Sequence, residues 1–127
     1  WGESAYPIPR GIGNISGREM STISGSYVPG YIDPFDGLSP VSAFRSSKLG
    51  IFDLVGNARE WLQNSSATSA GLLDSVNPSD PTISGSRHLI IGSSYLSARK
   101  DEFHSLRLKT GIFGEPDVGF RVVRTIK

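Results

Sequence analysis

The sequence predicts a small α+β domain, rich in loops and poor in regular secondary structure. Fifteen glycines and eight prolines are spread over 127 residues, so the backbone must turn often. No stretch sustains a period of 2 or 3.6 for long enough to specify a long strand or helix. Two compact runs of branched apolar residues beside glycine, 88–91 and 119–123, read as buried strands expected to pair with each other.

Residues 1–47 carry one turn signal after another, among them Tyr6-Pro7, Pro29-Gly30 and Asp36-Gly37, and predict coil with short strands at most. In 56–63, Ala58, Trp61 and Leu62 fall near one helical face with Asn57 placed to cap it, which predicts a short helical turn. From Ser65 to Ser86 the chain is polar and reads as a variable surface loop. Ser97 to Gly114 mixes many charges with Phe103, Leu106 and Leu108, and reads as a surface loop with apolar anchors.

The length suits one domain, 1–127. A net charge of +1 with scattered basic residues argues against nucleic acid as a partner. No apolar run approaches the roughly 20 residues that a membrane-spanning helix needs. The lack of cysteine excludes disulfides and thiol chemistry, yet leaves periplasm, cell surface and cytoplasm equally open. A chain opening on Trp1-Gly2 reads as part of a longer polypeptide.

The segment Asp53 to Trp61 puts two carboxylates seven residues apart around a glycine turn. Hard cations such as calcium take carboxylate and main-chain oxygens, which Asp53, Glu60 and the carbonyls of Gly56 and Ala58 would supply. The plainer account makes Asp53 a turn residue and pairs Glu60 with a nearby arginine. Asn14-Ile15 with Asp33-Pro34-Phe35 offers a second such oxygen set, again with a turn-forming alternative. His88 and His104 have no carboxylate at a zinc-ligand offset: His88 is expected to be structural and partly buried, His104 solvated. No Gly-x-Ser-x-Gly elbow supports a hydrolase, although Ser97 with His104 is the serine-histidine pair to check.

Taken in order, the segments resemble the second half of the formylglycine-generating-enzyme (sulfatase-modifying-factor) domain. Leu49 to Trp61 resembles its glycine-leucine-tyrosine-aspartate-x-valine-glycine-asparagine-x-x-glutamate-tryptophan signature, Gly92 to Tyr95 its glycine-glycine-serine-aromatic strand, and Gly119-Phe120-Arg121 its closing motif. Trp1-Gly2, Asn14-Ile15 and Pro40 to Phe44 match earlier elements by their order. The resemblance implies a variant of the C-type-lectin fold. It also implies calcium at Asn14, Ile15, Asp33 and Phe35 and at Asp53, Gly56, Ala58 and Glu60, although Pro34 stands where the family often has glycine.

Enzymatic members use two cysteines that bind copper and oxidise a substrate cysteine. The positions here are approximately Ser97 and Glu102, so the resemblance implies neither copper nor that oxidase activity. Ile91 replaces the family's arginine before the glycine-glycine-serine strand. The expected function is a non-catalytic binding or scaffolding module, like the lectin-like domains of bacterial kinases, secretion regulators and surface lipoproteins. Its ligand, a protein or a small molecule, would be met by Tyr95, Ser97, Arg99, Glu102 and Arg107, and the other half of the domain is its expected structural partner. The alternative is the regulatory or C-terminal part of a larger enzyme, a serine/threonine kinase or an iron-dependent sulfoxide synthase, with catalytic residues upstream.

Overall fold

The computed structural model describes residues 8–66, 87–110, 114–122 and 124, with the backbone alone at 63–66, 87–88 and 108–110. Among the described residues four strands form one mixed sheet: β1 (Arg59–Ser66), β2 (Arg87–Ile91), β3 (Leu106–Thr110) and β4 (Val118–Gly119), in the order β3-β2-β1-β4. β2 pairs antiparallel with both β1 and β3, and β1 pairs parallel with β4. Among the described residues helix is limited to two 3-10 segments, Arg18–Thr22 and Lys100–Glu102. No helix among the described residues is long and apolar enough to cross a membrane.

The strand expected at 88–91 is β2, which sits between two neighbours and buries Leu89 and Ile90. Four local expectations fail for identifiable reasons. Residues 59–66 are extended and not helical: a three-residue apolar spacing fits either state over so short a window, and pairing with β2 and β4 decides it. Asn57 does not cap a helix, because it lies in the left-handed region at φ 64 with its side chain bound to Asn14 and Ser39.

The second predicted strand shrinks to Val118–Gly119 and pairs with β1, not with β2. Beyond it Phe120 and Val122 are 77% and 82% exposed, so that run is not buried. The loop expected between 97 and 114 contains β3 instead. Leu106 and Leu108 alternate with Arg107 and Lys109, the half-polar period of a charged edge strand. Of the variable loop expected at 65–86, Ser65 and Ser66 end β1 and the remainder lies outside the described residues.

The apolar core gathers Ile8, Ile15, Val28, Tyr31 and Phe103, with Ile12 and Val55 packed against it. It is held by turns more than by strands. The Tyr31 hydroxyl donates to the Gly13 carbonyl at 2.5 Å and accepts from the Gly13 N–H at 3.4 Å, and burial pushes its pKa up to about 12.

Candidate functional site

The turn before β1 organises the oxygen-rich residues. Gly56 has φ +76 and lies against the 14–15 segment, where a Cβ would stand 1.8 Å from the Asn14 carbonyl oxygen. Only glycine combines that dihedral with that approach. Asn57 then fastens four segments together. Its N–H donates to the Asn14 carbonyl at 2.7 Å, and its Oδ1 accepts from Ser39 N–H at 2.9 Å and from Asn14 Nδ2 at 3.2 Å. Its carbonyl accepts from Tyr95 N–H at 3.0 Å, while Gly56 N–H donates to Ser93 Oγ at 2.8 Å.

Asn14, Ile15, Asp33 and Phe35 come together on one side of this turn. The Asp33 carboxylate accepts from the N–H groups of Ile15 (3.3 Å) and Phe35 (2.9 Å). Burial raises its pKa from 3.8 to about 6 against those hydrogen bonds, with Glu19 adding repulsion. Asn14 is 1% exposed; its Nδ2 donates to the Gly37 carbonyl at 2.8 Å, and its Oδ1 is buried without a hydrogen-bond partner.

Asp53, Ala58 and Glu60 come together on the other side, between a cavity of about 170 Å³ and one of about 220 Å³. Gly56 lines neither cavity. Asp53 Oδ2 accepts from Ser42 N–H at 2.7 Å, while its Oδ1 is buried and unpartnered. The carboxylate of Glu60 is gripped by Arg121, whose Nε reaches both oxygens at 3.0 Å and whose Nη2 reaches Oε1 at 2.5 Å. The same guanidinium donates to the Asp53 carbonyl at 3.4 Å, and Glu60 raises its pKa. Glu60 thus has the arginine partner of the plainer account. Among the described residues no three or more His, Cys, Asp or Glu side chains stand together as a metal group.

Of the five residues expected to meet a ligand, Ser97 lies in the interior and Tyr95, Arg99, Glu102 and Arg107 are half-buried or exposed. Ser97 is fully buried, and its Oγ accepts from Ser94 N–H at 3.0 Å and lies 3.5 Å from Arg59 Nη2. Glu102 is half-buried: its carboxylate accepts from the N–H groups of Ala98 and Arg99 at 2.9 and 3.1 Å and pairs with Arg107 at 3.7 Å. Arg99 is exposed and paired with Asp101, while Tyr95 is half-buried. His104 is exposed, as expected; the side chain of His88 lies outside the described residues. A nucleophilic Ser97 would need its hydroxyl open to substrate, and here it is sealed in the interior.

Sequence reading overlooked the buried network around Ser97. Arg59 Nη1 pairs with Asp117 Oδ2, and Ser94 Oγ donates to the same carboxylate oxygen at 2.8 Å. Burial lowers the pKa of Arg59, and Arg107 adds repulsion. Had 59–66 been read as a strand, alternation alone would have sent Arg59 and Glu60 to opposite faces.

A family model described as the sulfatase-modifying factor enzyme 1-like domain matches residues 2–126. The formylglycine-generating enzyme of Mus musculus is 30% identical over 97 residues, covering 76% of this chain and 24% of its own length. That of Bos taurus is 31% identical over 97 residues with the same coverage. The crystal structure of CarF is similar with a TM-score of 0.52 at 29% identity, over 71% of this chain and 29% of that one. The chain therefore spans about a quarter of the length of the curated relatives it matches. With a small mixed sheet, little helix and a family match over nearly its whole length, the chain belongs to the sulfatase-modifying factor enzyme 1-like domain family.

Proposed function

We propose that this chain is a non-catalytic binding module of its family, built on the C-type-lectin-like variant of the fold and stapled by calcium. The observation that carries the first part is the state of Ser97. At the position resembling the first catalytic cysteine, the chain has a hard, neutral hydroxyl, fully buried and already hydrogen-bonded, in a sequence without any cysteine. A serine hydroxyl is a poor ligand for cuprous ion. Glu102, at the second position, spends its carboxylate on the turn 98–102 and on Arg107.

The calcium reading is supported by two buried oxygens without partners, Asn14 Oδ1 and Asp53 Oδ1, one in each oxygen set. Unsatisfied buried acceptors are costly unless a cation or donor meets them. Asn14, Ile15, Asp33 and Phe35 would hold one ion, and Asp53, Gly56, Ala58 and Glu60 another, through side-chain and carbonyl oxygens of the kind calcium takes. A bound ion would neutralise the Asp33 carboxylate, which the fold has desolvated. Val41 and Phe120, 83% and 77% exposed, line one cavity beside Glu60 and offer an apolar seat for the rest of the family domain.

The test has two arms on the 127-residue chain. Millimolar calcium should raise the melting temperature by at least about 5 °C, since a ligand of the folded state stabilises it by mass action. Glu60→Ala and Asp33→Ala should each remove part of that rise; an unchanged midpoint overturns the staple. Incubated with copper, oxygen and a cysteine-bearing peptide, the chain should yield no aldehyde trapped by hydrazide. Aldehyde formation overturns the non-catalytic reading.

A further inference from the structure

The segment 9–12 and the turn 45–51, with Leu54, Val55 and His104, line an open cavity of about 370 Å³. That is within the size range of small-molecule pockets. Its floor is apolar and fixed, because Ile12 and Val55 pack against the core cluster and Ile51 and Leu54 continue the surface. Arg10, Arg45, Ser46 and His104 also line it, and no acidic residue does.

Arg10 and Arg45 share with Arg18 and Arg124 the lack of a carboxylate partner among the described residues, and of these four they are the ones that line this cavity. Arg59, Arg99, Arg107 and Arg121 each have a carboxylate: Asp117, Asp101, Glu102 and Glu60. Arg10 and Arg45 make no hydrogen bond or ion pair among the described residues. The wall that presents Arg45 is also held in shape by its own turn. Ser47 N–H donates to the Ile51 carbonyl at 2.8 Å, Gly50 N–H to the Ser47 carbonyl at 3.0 Å, and Ser47 Oγ accepts from Leu49 and Ile51 at 3.3 and 3.2 Å.

We propose that this cavity binds an organic carboxylate with an apolar body, its carboxylate held between Arg10 and Arg45 and its apolar part laid on Ile12, Ile51, Leu54 and Val55. Guanidinium groups form directional paired hydrogen bonds with carboxylates, and a preformed apolar floor supplies the remaining contact. A lone inorganic anion would leave that floor uncovered. The carboxylate can belong to a free small acid or to the C-terminus of a peptide, since both present the same group beside an apolar side chain. The proposal is independent of the calcium reading, and either can fail alone.

The experiment is a titration of the ¹⁵N-labelled 127-residue chain followed by amide chemical shifts. N-acetyl-leucine should give saturable shifts confined to Arg10, Ile12 and the segment Arg45–Ile51. N-acetyl-leucinamide, which lacks the charge, should bind about tenfold more weakly or worse, as loss of a charge-assisted hydrogen bond predicts. Arg45→Gln should weaken N-acetyl-leucine by a similar factor with an unchanged melting temperature, and Arg18→Gln, exposed but outside the cavity, should leave it unaltered. A leucine-terminated peptide with a free C-terminus tells the two sources apart: binding tighter than the small acid assigns a polypeptide end, weaker binding a free acid. Equal binding of acid and amide, equal binding of inorganic phosphate, or shifts centred elsewhere overturn the proposal.

Discussion

Two arginine-carboxylate pairs join β1 to the chain around β4, and they start from adjacent residues. Arg59 pairs with Asp117, just before β4, at side-chain exposures of 10% and 7%. Glu60 pairs with Arg121, just after β4, at 27% and 35%. Alternation along β1 sends one pair inward and the other outward. The inner pair belongs to a sealed network with Ser94 and Ser97, in which Arg59 Nε is left without a partner. The outer pair closes over Asp53 and faces a cavity. The same two chemical groups thus serve the fold on one face and a candidate site on the other, and water access separates the roles.

The comparison breaks most visibly from the inside. Asp117→Ala removes one partner of a buried pair, leaves the Arg59 charge uncompensated and strands the Ser94 hydroxyl. Such losses cost about 3–5 kcal/mol. Urea denaturation should show a fall of that order. The paired replacement Arg59→Met with Asp117→Leu should recover much of it, because no lone charge remains buried. A loss below about 1 kcal/mol for Asp117→Ala, the size typical of exposed pairs, would erase the distinction.

Asp33 sharpens the comparison, being a buried carboxylate with neither arginine. Facing it are Glu19, whose Oε2 accepts from Asp33 N–H at 3.2 Å, and the neutral phenol of Tyr31. Since its folded pKa of about 6 lies above the ordinary 3.8, folding favours the protonated acid. Its contribution is fully present below about pH 4 and is lost as pH rises through about 6, roughly 2–3 kcal/mol in all. In calcium-free buffer the chain should lose that stability over this window relative to Asp33→Asn, read from denaturation midpoints. Calcium should reverse the slope, because a bound cation favours the ionised form. A calcium-free chain that gains stability over the window relative to Asp33→Asn contradicts the assignment.

How far the sequence speaks follows from how local each feature is. The signature from Leu49 to Trp61 and strand β2 are contiguous and can be read directly. The two pairs cannot be, because their partners stand 58 and 61 residues apart and no local pattern marks them. β1 reads as a helical turn because Ala58, Trp61 and Leu62 suit one, and only pairing with β2 and β4 overrides that preference. β3 hides because Arg107 and Lys109 look like loop charges until their alternation with Leu106 and Leu108 is noticed. At the candidate site the carboxylates were legible from residue type. The guanidinium that grips Glu60 was visible only as the end of a closing motif.

The smallest stability change, and the most telling about the outer pair, is expected for Arg121→Gln. A partly exposed ion pair contributes about 0–1 kcal/mol, so the midpoint without calcium should move little. Its effect should appear in the response to calcium instead. Arg121 already neutralises Glu60 and draws on the Asp53 carbonyl, so a cation arriving at these oxygens must share or displace a resident positive charge. Removing that charge should tighten calcium binding at Glu60, read as a larger melting shift at the same calcium concentration. The shift contributed by Asp33, on the other side of the Gly56 turn, should stay constant. A smaller calcium response in Arg121→Gln would mean that the guanidinium orients Glu60 for the ion and does not compete with it, and the outer pair would then be part of the site's construction.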